Sequence, residues 1–163
     1  MPDSVPDQVL RAMETVADQY HRLVLVVGGP STGKTSALQV VAKRIGATRV
    51  NLNLELSRRL MNLTARLRAI QFSVLFNEAL AVFPGDTLVL DNIEILFDPA
   101  LQQDPLHHFQ SASRNRTLVV AWPGAIRRDD CGQASLTYAM PAHPEYRRYP
   151  AGDLVLVESS ATG

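Results

Sequence analysis

Cysteine occurs once in this sequence, at Cys131, so no internal disulfide can form. A reducing compartment, by default the cytoplasm, is the expectation. Lysine occurs twice, against fourteen arginines. A general preference for arginine can follow from base composition alone, but a lysine kept at position 34, inside a glycine-rich segment, calls for a chemical reason. Long apolar runs are absent: stretches such as Leu23 to Val27 fall far short of a bilayer span, and Met1-Pro2-Asp3-Ser4 lacks the basic-then-apolar profile of a secretion signal. Charge of one sign is not in excess either. Sixteen basic and sixteen acidic residues cancel, which removes any global attraction for nucleic acid.

What is present suits a folded domain. Hydrophobic residues make up 46% and charged residues 20% of 163 positions, enough to bury roughly two-thirds of the unfolded surface in one unit. With no repeat and no low-complexity linker, a single domain over residues 1–163 is expected, with a helix in 1–20 and a core from 23 to 158. Ser4-Val5-Pro6-Asp7 reads as a capped helix start, followed by Val9, Leu10, Met13, Val16, Ala17 and Tyr20 on one stripe. Leu23 to Val27 reads as a strand buried on both faces. A helix from Lys34 to Ile45 should stop at Gly46. Arg49 to Leu54 alternates apolar and polar, the pattern of a half-exposed edge strand. Leu56 to Leu67 is ambiguous, and Ser73 to Phe83 is helical up to Pro84-Gly85. Thr87 to Asp91 is another buried strand, Leu101 to Ser113 a helix, and Thr117 to Trp122 a strand stopped by Pro123-Gly124. Ser135 to Met140 and Asp153 to Glu158 compete for the place of a fifth strand. Strands alternating with helices imply a three-layer α/β fold around a mainly parallel, five-stranded sheet.

The chemistry lies in Gly28-Gly29-Pro30-Ser31-Thr32-Gly33-Lys34-Thr35, which fits the Walker A pattern G-x-x-x-x-G-K-[ST] at every fixed position, with Ser36 next in line. Gly28 and Gly33 permit backbone angles that turn successive N–H groups inward around a phosphate. The helix that follows points its positive end at the same anion. Lys34 should reach the β- and γ-phosphates of a nucleoside triphosphate, and Thr35 should give its hydroxyl to Mg²⁺. Leu88-Val89-Leu90-Asp91, a hydrophobic strand ending in an acid, fits a Walker B segment in which Asp91 holds Mg²⁺ through water. No guanine-reading Asn/Thr-Lys-x-Asp motif occurs, so ATP is favoured.

Hydrolysis needs a group that orients the attacking water. Many AAA+ and related ATPases place a glutamate directly after the Walker B aspartate. Here that position is Asn92 and the nearest acid is Glu94, so either Glu94 takes the role, Asn92 polarises water, or Glu94 merely solvates a helix start. Asn53 has two readings, a solvent-facing edge-strand amide or a residue holding a catalytic glutamate in check. Trp122 ends the fourth strand where AAA+ relatives carry a polar sensor, and an indole donates one hydrogen bond but accepts none. Arg114 and Arg116, at the opposite end of the sheet, are candidate arginine fingers toward a neighbouring subunit, with Arg58 and Arg59, or Arg147 and Arg148, as alternatives. The paired arginines could equally touch a nucleic-acid backbone. His107, His108 and His143 lack ligand spacing and cysteine companions, which argues against a zinc site.

Several further segments resemble one family. Asn51-Leu52-Asn53-Leu54-Glu55-Leu56-Ser57-Arg58-Arg59-Leu60, Leu90-Asp91-Asn92-Ile93-Glu94-Ile95-Leu96-Phe97, Ser113-Arg114-Asn115-Arg116-Thr117, Val120-Ala121-Trp122-Pro123-Gly124, Leu136-Thr137-Tyr138-Ala139 and His143-Pro144-Glu145-Tyr146 are similar to BrxF, the small P-loop protein of type-3 bacteriophage exclusion (BREX) systems. The resemblance runs from about Leu23 to Tyr149. It implies a bacterial cytoplasmic ATPase acting with other BREX proteins: a large ATPase, a DNA methyltransferase and an alkaline-phosphatase-like protein; no membrane association is expected from the short apolar runs. With the Walker motifs it makes the expectation an AAA+/ASCE-like P-loop NTPase without a helical lid, which self-assembles as a homo-oligomer to complete its site, DNA being a further candidate partner. The alternatives are a nucleotide-responsive switch with little hydrolysis and, ranked lower, a small-molecule kinase.

Overall fold

The computed structural model describes residues 4–28, 33–138 and 146–159. Ser4 starts the first helix, α1 (Val5–Val16), by accepting the amide N–H of Asp7 on its hydroxyl, with Pro6 in the first turn where its missing N–H costs nothing. The helix ends at Val16, so Tyr20 lies beyond it and is exposed rather than on its apolar stripe. β1 (Leu23–Gly28) is buried at every position. α2 (Lys34–Ile45) stops at Gly46, whose φ of 68° is the left-handed backbone that glycine adopts without steric cost. There follow β2 (Thr48–Asn51), α3 (Leu52–Leu60), α4 (Ala65–Ala81), β3 (Thr87–Asp91), two 3-10 turns at Glu94–Phe97 and Pro99–Leu101, α5 (Pro105–Ala112), β4 (Thr117–Arg128), β5 (Ala134–Tyr138), β6 (Arg147–Pro150) and β7 (Val155–Glu158).

The architecture is mixed α/β with a mainly parallel sheet. Five strands run parallel in the order β2-β3-β4-β1-β7, with β7 taking the fifth place left open between two segments. Successive side chains on these strands point to opposite faces. Leu23, Leu25 and Val27 face the layer built by α3, α4 and α5, while Val24 and Val26 face α1 and α2. Both faces are covered, so the central strands carry apolar residues without alternation. No helix among the described residues is long and apolar enough to cross a membrane.

Four boundaries differ from the sequence expectation, each for a local reason. The strand begun at Thr48 ends at Asn51, because the Asn51 side chain accepts the Leu54 amide and caps α3. Leu52, Leu56 and Leu60 are then buried at helical spacing and Leu54 is exposed, so Leu52 to Leu54 are helix rather than strand. α4 begins at Ala65 rather than Ser73, capped by Thr64. α5 begins only at Pro105, after the 3-10 turns, with Asp104 as its cap. β4 runs straight through Pro123-Gly124. Pro123 is the last residue paired with β1, and from Gly124 the strand pairs antiparallel with β5, which in turn pairs with β6. Gly124 is required there: a Cβ would fall 1.8 Å from the Thr137 carbonyl oxygen.

Candidate functional site

In a parallel sheet covered by helices on both faces, ligands gather beyond the carboxyl ends of the strands. Gly28 ends β1, Asp91 ends β3, and α2 starts with Lys34, Thr35 and Ser36 in its first turn. Gly29, Pro30, Ser31 and Thr32 lie outside the described residues. Gly33 precedes the helix at φ 82°, a left-handed conformation that suits glycine. α1, α3, α4 and α5 each begin under a side-chain cap, from Ser4, Asn51, Thr64 and Asp104, whereas the N-cap of α2 is Gly33, which has no side chain to offer. The start of α2 lies at the positive end of its helix dipole, a setting that favours an anion.

Two polar contacts form at that helix start. Thr35 Oγ1 donates to Asp91 Oδ2 at 3.0 Å. Lys34 Nζ donates to the Gly28 carbonyl at 2.6 Å. Burial lowers the pKa of Lys34, while the nearby charges of Asp91 and Glu94 pull it up. A hydroxyl, a carboxylate and an ammonium group at a helix start form a set of groups suited to a phosphate chain carrying a hard divalent cation.

The stretch after β3 is tied down from α3. Asn92 has a φ of 54°, its N–H bonds Asp91 Oδ1 at 2.8 Å, and its carbonyl accepts the Asn53 amide at 2.7 Å. Asn53 Nδ2 donates to Glu94 Oε2 at 2.9 Å, and its Oδ1 accepts the Ile95 amide at 2.8 Å. Asn53 thus sits at the start of a helix, clamping the turn that carries Glu94, and does not face solvent from an edge strand. The sequence placed it next to a strand end but gave no sign of the shift from strand to helix that aims its amide at Glu94.

Trp122, at the end of the parallel part of β4, is fully buried, and its indole N–H donates to the Thr137 carbonyl at 3.1 Å. Its ring meets Phe97 edge-on at 5.1 Å, and Phe97 stacks on Tyr138 at 3.6 Å. The place expected for a polar sensor is therefore filled by an aromatic block joining the 3-10 turn after Glu94 to the β5–β6 hairpin.

The arginines fall into different settings. Arg116 donates to the carbonyls of Leu80, Phe83 and Gly85, closing the exposed end of α4. Its guanidinium is committed within its own chain at the end of the sheet remote from Lys34. Arg114 stacks over the Tyr20 ring at 4.8 Å, at the same remote end. Arg59 binds the Glu55 carboxylate at 3.1 Å, whereas Arg58 is 63% exposed and lies 3.8 Å from it. Arg147 donates to the Gln103 carbonyl and Arg148 to Ser135 Oγ. His108 is buried against Phe72 and Phe76, shares a hydrogen bond with Gln103, and has its pKa lowered by that burial. Cys131 is exposed.

No family model matches the chain, and no curated protein does. Among solved structures, C. elegans PCH-2 is similar at a TM-score of 0.42 and 16% identity, over 77% of this chain. The chain spans 37% of that structure's length. At that distance the likeness adds nothing to the geometry of the site.

Proposed function

We propose that this chain is a P-loop NTPase of the AAA+/ASCE kind that binds ATP with Mg²⁺, hydrolyses it, and completes its site from a neighbouring copy. The observation that carries this reading is the Thr35–Asp91 contact beside Lys34. It joins the two halves of a Walker site across a sheet in which β4 lies between the loop-bearing β1 and the acid-bearing β3. Gly28 to Gly33 and the first amides of α2 would cradle the phosphates. Lys34 would exchange the Gly28 carbonyl for β- and γ-phosphate oxygens. Thr35 and Asp91 would hold Mg²⁺, which when bound offsets phosphate charge. Glu94, held by Asn53, would orient the attacking water and accept its proton. Arg58, exposed on α3, would be the arginine that acts on a neighbour's phosphate. Turnover per subunit then rises with protein concentration, and turnover that is high and flat across dilution would contradict the shared site.

The test separates binding from chemistry. Lys34→Ala should abolish binding of fluorescent ATP analogues, while Glu94→Gln should keep binding and lose phosphate release. Unimpaired nucleotide binding by Lys34→Ala would end the proposal. A second reading, a nucleotide-responsive switch with little hydrolysis, is favoured by Asn92 in the position after Asp91 and by Trp122 in place of a polar sensor. Tight ATP binding with negligible turnover at every concentration, with and without DNA, would select it. The BrxF-like segments support a finer proposal on sequence grounds: a role in BREX anti-phage defence, beside its large ATPase, methyltransferase and phosphatase-like protein. Deleting the gene from a host that carries such a system should then restore phage plaques, and Lys34→Ala should not complement the deletion.

A further inference from the structure

α4 is apolar on two sides. Its inner side, with Phe72, Phe76, Ala79 and Leu80, is buried in the core. Its outer side carries a ridge at four-residue spacing: Arg66, Ile70, Val74, Glu78 and, at the C-cap, Val82. All five are exposed, Ile70 at 64%, Val74 at 58% and Val82 at 64%. The outer face of a surface helix is normally polar, so three large apolar side chains in line on it point to a covering partner. β-branched side chains on a solvated helix face also weaken the helix, with no packing in return.

The charges on the ridge indicate what covers it. Arg66 stands in the first turn of α4 and Glu78 near its last, each at the wrong end for the helix dipole. Neither forms an ion pair among the described residues. A second α4 laid antiparallel across the ridge corrects both defects. With the twofold axis midway between Ile70 and Val74, Arg66 meets the partner's Glu78, Ile70 meets the partner's Val74, and the two dipoles oppose. A parallel pair would instead set like charges side by side. Interlocking of four-residue ridges is the commonest helix packing, and a patch complementary to itself is what a twofold dimer requires.

We propose that the outer ridge of α4 is a self-association face on which a second copy of this chain docks antiparallel. α4 lies in the layer opposite α1 and α2, so the dimer leaves the start of α2 open and forms without nucleotide. Sedimentation velocity on the full chain at low salt, from micromolar to sub-millimolar, tests it. Wild type and Lys34→Ala should show the same concentration-dependent dimer. Arg66→Glu and Glu78→Arg should each weaken it about tenfold, because two exposed pairs turn from attraction to repulsion. Mixed together, the two variants should dimerise again, since one chain then carries two acids where the other carries two bases. Both substitutions are at exposed positions, and unchanged circular dichroism confirms folding. A wild type that stays monomeric, single variants that associate like wild type, a mixture that stays monomeric, or a dimer lost in Lys34→Ala would each overturn the proposal.

Discussion

Gly124→Ala tests the hand-over of β4 from the parallel sheet to the hairpin. The added methyl carbon would lie 1.8 Å from the Thr137 carbonyl oxygen and 2.9 Å from both the Thr137 carbonyl carbon and Trp122 Nε1. Real Cβ contacts essentially never fall below 3.0 Å, so β4 and β5 must part by more than an ångström at this point. That separation removes the acceptor of the Trp122 indole, a buried donor whose loss costs about 1–3 kcal/mol. Overpacking of the aromatic block adds a further term of about 1–3 kcal/mol. A net destabilisation of about 3 kcal/mol is expected, lowering Tm by roughly 6–12 °C for a chain of this size. Trp122 is the sole tryptophan, so its emission reports on this spot directly. Urea unfolding followed by tryptophan fluorescence and by circular dichroism should show a lower midpoint and a red-shifted native spectrum. Gly152→Ala, where an added Cβ meets nothing within 4 Å, is the control and should change stability by no more than about 0.5 kcal/mol. An unshifted midpoint and an unchanged native spectrum for Gly124→Ala would refute the steric account.

Asn53→Ala removes the acceptor of the Ile95 amide and the donor to Glu94, and should cost about 1–2 kcal/mol in chemical denaturation. Asn53→Asp keeps the acceptor but repels Glu94, so it should retain more stability than Asn53→Ala while phosphate release falls and nucleotide affinity holds. Arg116→Lys should not preserve stability, because one ammonium group cannot span three carbonyls as the planar guanidinium does; a loss of about 1–3 kcal/mol is expected by the same assay. Burial lowers the pKa of Lys34, so between its folded value and the ordinary 10.5 the native chain has shed a proton that the unfolded chain keeps. Lys34 therefore makes stability rise with pH across that window, and calorimetry in buffers of differing ionisation enthalpy should show proton uptake on ATP binding there. Tyr149 behaves oppositely: burial first, and then the Asp104 charge, raise its pKa, so its contribution is complete below pH 10.0 and is lost as pH climbs from there toward the folded value. Tyr149→Phe should flatten the alkaline fall in unfolding midpoint.

The parts of the fold that follow local rules could be read from the sequence. A Val-rich run predicted β1, a glycine predicted the stop of α2, and Ser4 with Asp7 predicted the start of α1. The parts decided by distant partners could not. Leu52 satisfies both the two-residue alternation of a strand and the four-residue spacing of α3, and the Asn51 cap decides between them. Pro123-Gly124 reads as a stop in isolation, yet Pro123 falls at the end of the β1 pairing and Gly124 is needed for contact with β5. At the candidate site, the Gly28–Thr35 motif and Asp91 were visible as patterns. Their approach through Thr35, the clamp of Asn53 on Glu94 and the bonding of Arg116 to the carbonyls at the end of α4 depend on long-range placement that spacing does not encode.

The position of β1 has a kinetic consequence. Val24 pairs with Val119 on one side and with Val155 on the other, and the Ser159 amide closes onto the Val27 carbonyl. As the chain leaves the ribosome, the strand that leads into the glycine-rich segment emerges early and gains its two neighbours late. Until Thr117 to Trp122 arrive it is an unpaired, valine-rich ribbon, and until Val155 to Glu158 arrive one edge stays open to any other extended chain. Such non-local pairing slows folding and lengthens the aggregation-prone interval. α1, whose Val9 and Val16 pack in one cluster with Val24 and Val26, is made before β1 and can cover one of its faces before its last neighbour exists.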